Sequence, residues 1–120
     1  MAGTGGSLCR MVDPVVHLDI AGPDEPAQHR FYAELFGWSV EPRGPGYALL
    51  RTGDDGPNGS LVEAEAASVT FGVAVADLED SIAQAVALGG KITMPPTDNG
   101  WIVKAQVSDP AGNVLTLIQA

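Results

Sequence analysis

The sequence predicts an α+β domain built from two successive βαβββ halves. Three observations carry this. A strand segment, an amphipathic helix segment and three short strand segments follow one another, and then the whole order repeats. Both helix segments stop at glycine, Gly37 and Gly89, at equivalent points of the halves. The chain has 120 residues, enough to bury one hydrophobic core and hardly two, so both halves belong to a single domain.

The first strand is read over Val15–Ile20, where Val16, Leu18 and Ile20 share one face and Val15, His17 and Asp19 the other. Asp24 is the expected N-cap of the first helix, with Pro26 in its first turn. Ala27, Phe31 and Leu35 recur at four-residue spacing, and Phe31 and Leu35 are expected to pack on the sheet. Trp38 to Arg43, Tyr47 to Thr52 and Ser60 to Glu63 are the next strands, separated by Gly/Pro and Gly/Asp/Asn turns. Trp38 is expected in the core or an interface. In the second half Val69 to Ala76 is a strand, and Asp77 caps a helix with Leu78, Ile82 and Val86 on one face. Ile82 and Val86 are again expected in the core. Lys91 to Met94 forms a strand that Pro95-Pro96 should break. Trp101 to Val107 and Val114 to Gln119 close the fold around the turn Asp109-Pro110-Ala111-Gly112-Asn113. Residues 1–11 read as a flexible lead, 12–66 as the first module and 67–120 as the second, with the boundary near Ala64 to Ser68.

Charge excludes several functions. Six Lys/Arg face fifteen Asp/Glu, a net charge of −9, and no basic cluster exists to neutralise phosphates. Nucleic acid and anionic membranes are therefore not expected as partners. A cationic ligand would be tolerated. The single cysteine, Cys9, allows no intrachain disulfide and fits a reducing, cytoplasmic setting. No apolar run reaches the ~18 residues that span a bilayer. Asp54-Asp55-Gly56 lacks the remaining ligands of a calcium loop and reads as a turn. Asn58-Gly59-Ser60 matches a glycosylation acceptor without any secretion signal to make it relevant. The glycines form neither a P-loop nor a dinucleotide fingerprint, and nothing marks a nucleophile turn.

Four phrases go further: Val16-His17-Leu18-Asp19, Phe31-Tyr32-Ala33-Glu34-Leu35-Phe36-Gly37-Trp38, Ala87-Leu88-Gly89-Gly90 and Asp109-Pro110-Ala111-Gly112-Asn113. They are similar to those of small single-domain members of the vicinal oxygen chelate superfamily (glyoxalase/bleomycin resistance protein/dioxygenase-like domains). The resemblance covers Val12 to the C-terminus. It implies a cupped, barrel-like mixed sheet with the helices outside, and a homodimer. It also implies metal ligands on the first and last strands of each half, mixing His and Glu. Carried over, the first position is His17, which matches. The others fall near Thr70 and at Thr116, with Ser60 or Leu61 on the last strand of the first half; Glu63 would enter only by a register shift. Hydroxyls are poor ligands beside imidazole and carboxylate, so no metal and no cofactor is expected.

The expectation is thus a metal-independent small-molecule-binding protein of the glyoxalase/bleomycin-resistance type. Its cup would be lined by His17, Ser60, Thr70, Trp101 and Thr116, and its ligand would be cationic or aromatic. One alternative is a glyoxalase-like lyase or isomerase, or a ring-cleaving dioxygenase, with an atypical metal site or with His17 as base. Another is a non-catalytic subunit with a vestigial cup. Asp19 shares the His17 face, but side chains at i and i+2 on a strand are well separated, so Asp19 is expected to reach solvent.

Overall fold

The computed structural model describes residues 12–120. The reading of residues 1–11 as a flexible lead, Cys9 included, lies outside the described residues. In chain order the elements are β1 (Val15–Gly22), α1 (Glu25–Phe36), β2 (Ser39–Pro42), β3 (Tyr47–Arg51), β4 (Asn58–Glu63), β5 (Ser68–Val75), α2 (Leu78–Ala87), β6 (Lys91–Asp98), β7 (Val103–Ser108) and β8 (Val114–Gln119). The strands form one eight-stranded mixed sheet in the order β2-β3-β4-β1-β5-β8-β7-β6. Within each module the first and last strands run parallel, β1 with β4 and β5 with β8, and the two modules join where β1 pairs antiparallel with β5.

Two features differ from the expected cup. The sheet is not closed into a barrel: β2 and β6 are its outer strands and do not pair with each other. One of those edges, β6, carries Pro95 and Pro96, which lack the N–H groups that a further ladder would need. The same edge position explains why the prolines do not end the strand. β6 continues to Asp98, with register shifts between Ile92 and Met94 and between Met94 and Thr97, because only its β7 side has to pair.

Local signals set the helix ends. The Asp24 carboxylate accepts the Ala27 N–H, and Gly37 closes α1 in the left-handed region at φ 73°. The Asp77 carboxylate accepts the Asp80 N–H at the start of α2. The turn before β8 is held by Asp109, whose Oδ1 accepts the N–H groups of Ala111, Gly112 and Asn113, each at 2.9 Å.

Each module has its own core cluster. Ile20, Ala48, Leu50 and Leu61 pack with Tyr32, Trp38 and Val40 in the first; Val75, Leu78, Ile82, Ala105, Val107 and Leu117 form the second. The register shows that both helices cover the same face. Ile20 pairs with Val69 and Leu18 with Phe71, and alternation along β5 carries that face on to Val73 and Val75 beneath α2. The packing of α1 departs from expectation. Phe31 is 53% and Leu35 59% exposed, and Val86 of α2 is exposed as well. Tyr32 makes the inward contact instead, stacking on Trp38 with ring centroids 5.6 Å apart. Phe31, Tyr32, Leu35 and Phe36 together span more than one side of a helix, so spacing alone does not choose the side that packs.

Candidate functional site

With both helices on one face, the opposite face of the sheet is left open. Two cross-strand rows define its centre. One runs Leu49–Ser60–Asp19–Thr70 over β3, β4, β1 and β5. The other runs Arg51–Asn58–His17–Gly72–Thr116–Gln106 over β3, β4, β1, β5, β8 and β7. Four of the five residues singled out in the sequence, His17, Ser60, Thr70 and Thr116, therefore stand on neighbouring strands of one face. Trp101 does not join them. It sits in the connection between β6 and β7, at the far end of the sheet, and is 87% exposed.

The rows carry a hydrogen-bonded unit. His17 Nε2 lies 2.8 Å from Asp19 Oδ1, and the Ser60 hydroxyl donates to the same oxygen at 2.5 Å. The expectation that Asp19 turns to solvent is corrected here. Same-face residues two apart on a strand are separated by about 7 Å at Cα, which an imidazole and a carboxylate bridge when they lean toward each other. The short serine on the neighbouring strand completes the unit. Burial alone would raise the Asp19 carboxyl. The hydrogen bonds from His17 and Ser60, with the charges of His17 and Lys104, outweigh it and hold the group below its ordinary value of 3.8. A carboxylate on Nε2 places the proton there when His17 is neutral, which leaves Nδ1 as the nitrogen with a free lone pair.

The sign of the pH effect follows. A carboxyl depressed by folding stabilises the native state fully above its ordinary value, and that stabilisation is lost as pH falls through the lower folded value. Glu63 and Asp109 are depressed as well, so the wild-type protein loses stability to all three below pH 4 or so. Asp19→Asn is expected to lower stability by about 1 kcal/mol near neutral pH, a small figure because the pair is over a third exposed. It should also flatten part of the acid limb. Thermal melting at a series of pH values from ~6 to ~2 reads the difference. Parallel curves for the two proteins would contradict the pairing.

Gly72 shapes the floor beside His17. A Cβ there would come within 2.9 Å of Ile118 Cδ1 and 3.1 Å of His17 Cβ, so the missing side chain leaves the space that Ile118 and His17 occupy above Gly72. A cavity of about 140 Å³ opens on the other side of His17, toward Arg51, Asn58 and Leu49. Sequence reading missed Arg51, Asn58 and Gln106. Their signal was available only as alternation from Ser60 and Thr116, and its meaning depends on register. A separate apolar cavity of about 310 Å³ lies on the helix side, between α2 and the sheet, lined by Val73, Val75, Leu115 and Leu117.

The donor set does not fit a divalent metal. Among the described residues no three His, Cys, Asp or Glu side chains converge. His17 stands alone as an imidazole donor, and the remaining family positions are hydroxyls or, at Leu61, a side chain in the core. Glu63 is not a substitute. Its carboxylate accepts the backbone N–H groups of Asp24 and Glu25 at 2.8 and 2.7 Å, which lowers its pKa and ties β4 to the start of α1.

Comparison with known proteins agrees with the fold. A family model described as a glyoxalase-like domain matches residues 15–118. No curated protein matches the chain. Among solved structures, a glyoxalase/bleomycin resistance protein/dioxygenase superfamily member from Vibrio splendidus 12B01 is similar with a TM-score of 0.69 at 18% identity, over 91% of this chain and 100% of the other. Methylmalonyl-CoA epimerase from Mycobacterium tuberculosis gives 0.64 at 14% identity, over 88% and 86%. The Mn(II)-bound glyoxalase from Novosphingobium aromaticivorans gives 0.67 at 18% identity, over 90% of this chain and 40% of the other. At such identities the likeness to these structures concerns the fold.

Proposed function

The chain belongs to the vicinal oxygen chelate (glyoxalase/bleomycin resistance/dioxygenase) superfamily, and from that premise we propose that it is a metal-independent small-molecule-binding protein that seats its ligand on the open face around His17. The observation that carries the reading is the His17–Asp19–Ser60 unit at the centre of that face, flanked by Thr70 and Thr116. His17 and Asp19 stay part-exposed and can offer a ligand an oriented donor or acceptor, while Ser60 and Thr116 are buried and hold the row from below; the row lacks the charged donor set that a resident cation needs. Residues 12–66 and 67–120 act in this reading as two modules of one domain, with the ligand spanning their β1–β5 junction. The proposal includes a cytoplasmic homodimer without nucleic-acid or membrane partners. The net charge of −9 argues against nucleic acid and anionic membranes, and the exposed Phe31 and Leu35 offer apolar surface to a second copy; no helix among the described residues is long and apolar enough to cross a membrane.

Two measurements test this. Chelator-stripped protein titrated with Fe²⁺, Mn²⁺, Ni²⁺, Co²⁺ and Zn²⁺ under anaerobic conditions should give no stoichiometric heat. Stoichiometric binding that His17→Ala abolishes would overturn metal independence. Small-molecule fragments followed by amide NMR should perturb His17, Ser60, Thr70 and Thr116. Perturbation confined to the cavity beneath α2 would move the site to the other face.

The same pairing favours a second reading, an isomerase or lyase in which His17 is the base. A carboxylate that fixes the tautomer and orientation of an imidazole prepares its other nitrogen to take a proton. In that reading Nδ1 accepts the proton while Asp19 balances the imidazolium.

A further inference from the structure

The overall charge of the chain and the charge of its open face have opposite consequences. Of the six Lys/Arg, Arg30 pairs with Glu34 and Arg43 with Glu41. Arg51 and Lys104 form no ion pair among the described residues, and the register places both on the open face, Arg51 in the His17 row and Lys104 opposite Ile118. The carboxylates that the register places there are already engaged, Asp19 by His17 and Ser60, and Glu41 by Arg43. Lys104 already acts on Asp19, so Arg51 is the cation left without an ion pair in the His17 row among the described residues; Asp54 borders a neighbouring hollow with it but does not pair with it.

We infer that the cavity between His17, Arg51 and Asn58 takes the carboxylate of a small anionic ligand whose apolar or aromatic part lies toward Gly72 and Ile118. The inference rests on the ligand-binding reading above and names its ligand class. The planar guanidinium of Arg51 matches a carboxylate with two parallel N–H···O bonds. The Asn58 amide adds a donor from the neighbouring strand. His17, held through Nε2 by Asp19, borders the cavity. A volume of about 140 Å³ suits a carboxylate with a few attached atoms. The remainder of the ligand extends across the floor where Gly72 allows Ile118 to approach His17. Lys104 adds a longer-range field, and its charge already acts on Asp19. The net charge alone suggested a cation; the residues that line this face favour an anion.

Three probes of one shape separate these possibilities: benzoate (anion), benzamide (neutral) and benzamidine (cation). Each is titrated into the full chain and followed by amide and side-chain NMR. Benzoate is expected to perturb His17, Asn58 and Arg51 and to bind about tenfold or more tighter than the other two. Arg51→Gln should remove that preference without lowering the melting temperature, because Arg51 is exposed and unpaired. Arg51→Lys should keep the charge and recover only part of the preference. Benzamidine binding as well as or better than benzoate at His17 would overturn the anion assignment while leaving the ligand-binding face intact. Inorganic phosphate displacing benzoate at lower concentration would overturn the carboxylate assignment. No perturbation of this face by any probe up to about 10 mM would overturn both the inference and the reading beneath it.

Discussion

Gly59→Ala is expected to lower the unfolding free energy by about 3 kcal/mol and the melting temperature by roughly 10 °C. Gly59 lies opposite Leu18 where β4 runs parallel to β1. A Cβ at this position would collide with the Leu18 carbonyl oxygen and crowd its carbonyl carbon and Cβ, at 3.2 and 3.3 Å. The obstacle is backbone, so no side-chain rotation relieves it, and β4 must move away from β1. The neighbours of Gly59 are Asn58 and Ser60, which stand opposite His17 and Asp19. The same displacement therefore separates the Ser60 hydroxyl from Asp19 and widens the cavity beside His17. Thermal melting gives the first effect, and loss of the Ser60–Asp19 bond in side-chain NMR gives the second. A variant that melts within about 1 °C of wild type would show that β1 and β4 do not approach this closely.

Leu50→Ala is expected to cost about 2–5 kcal/mol while leaving the strands of the open face in register. Leu50 is 1% exposed and packs with Ile20, Ala48 and Leu61 under α1. The first module has four buried hydrophobic residues in its cluster, so one truncation removes a large share of its core and leaves a cavity that its surroundings fill only partly. Its neighbours Leu49 and Arg51 point to the other face, so the His17 row should survive in whatever fraction stays folded. Urea unfolding should show a lower midpoint with little change in slope. An unchanged midpoint would mean that the first module does not depend on this cluster. The pair of variants separates two kinds of failure, one in packing and one in strand approach, and only the second parts the strands that carry the His17 row.

What the sequence alone determined was local. The alternation in Val15–Ile20 identified a strand with one apolar face, and Asp24, Gly37, Asp77 and the Asp109 turn marked ends that the structure places as expected. These signals are legible because a cap or a tight turn is completed within four or five residues, and a period of two needs no partner to be recognised. His17, Ser60, Thr70 and Thr116 came from the resemblance, and the sheet register brings them onto one face. Tertiary structure decided the rest. Whether Phe31 or Tyr32 faces the sheet depends on how α1 is rotated against Trp38, which the helical pattern leaves open. That β6 passes through two prolines depends on its being an edge strand. The second hydrogen bond to Asp19 depends on a serine 41 residues away arriving on the neighbouring strand. Arg51 and Asn58 become neighbours of His17 only once β3, β4 and β1 are in register. Register is set by long-range pairing and burial, and a shift of one residue would turn every one of these side chains to the opposite face.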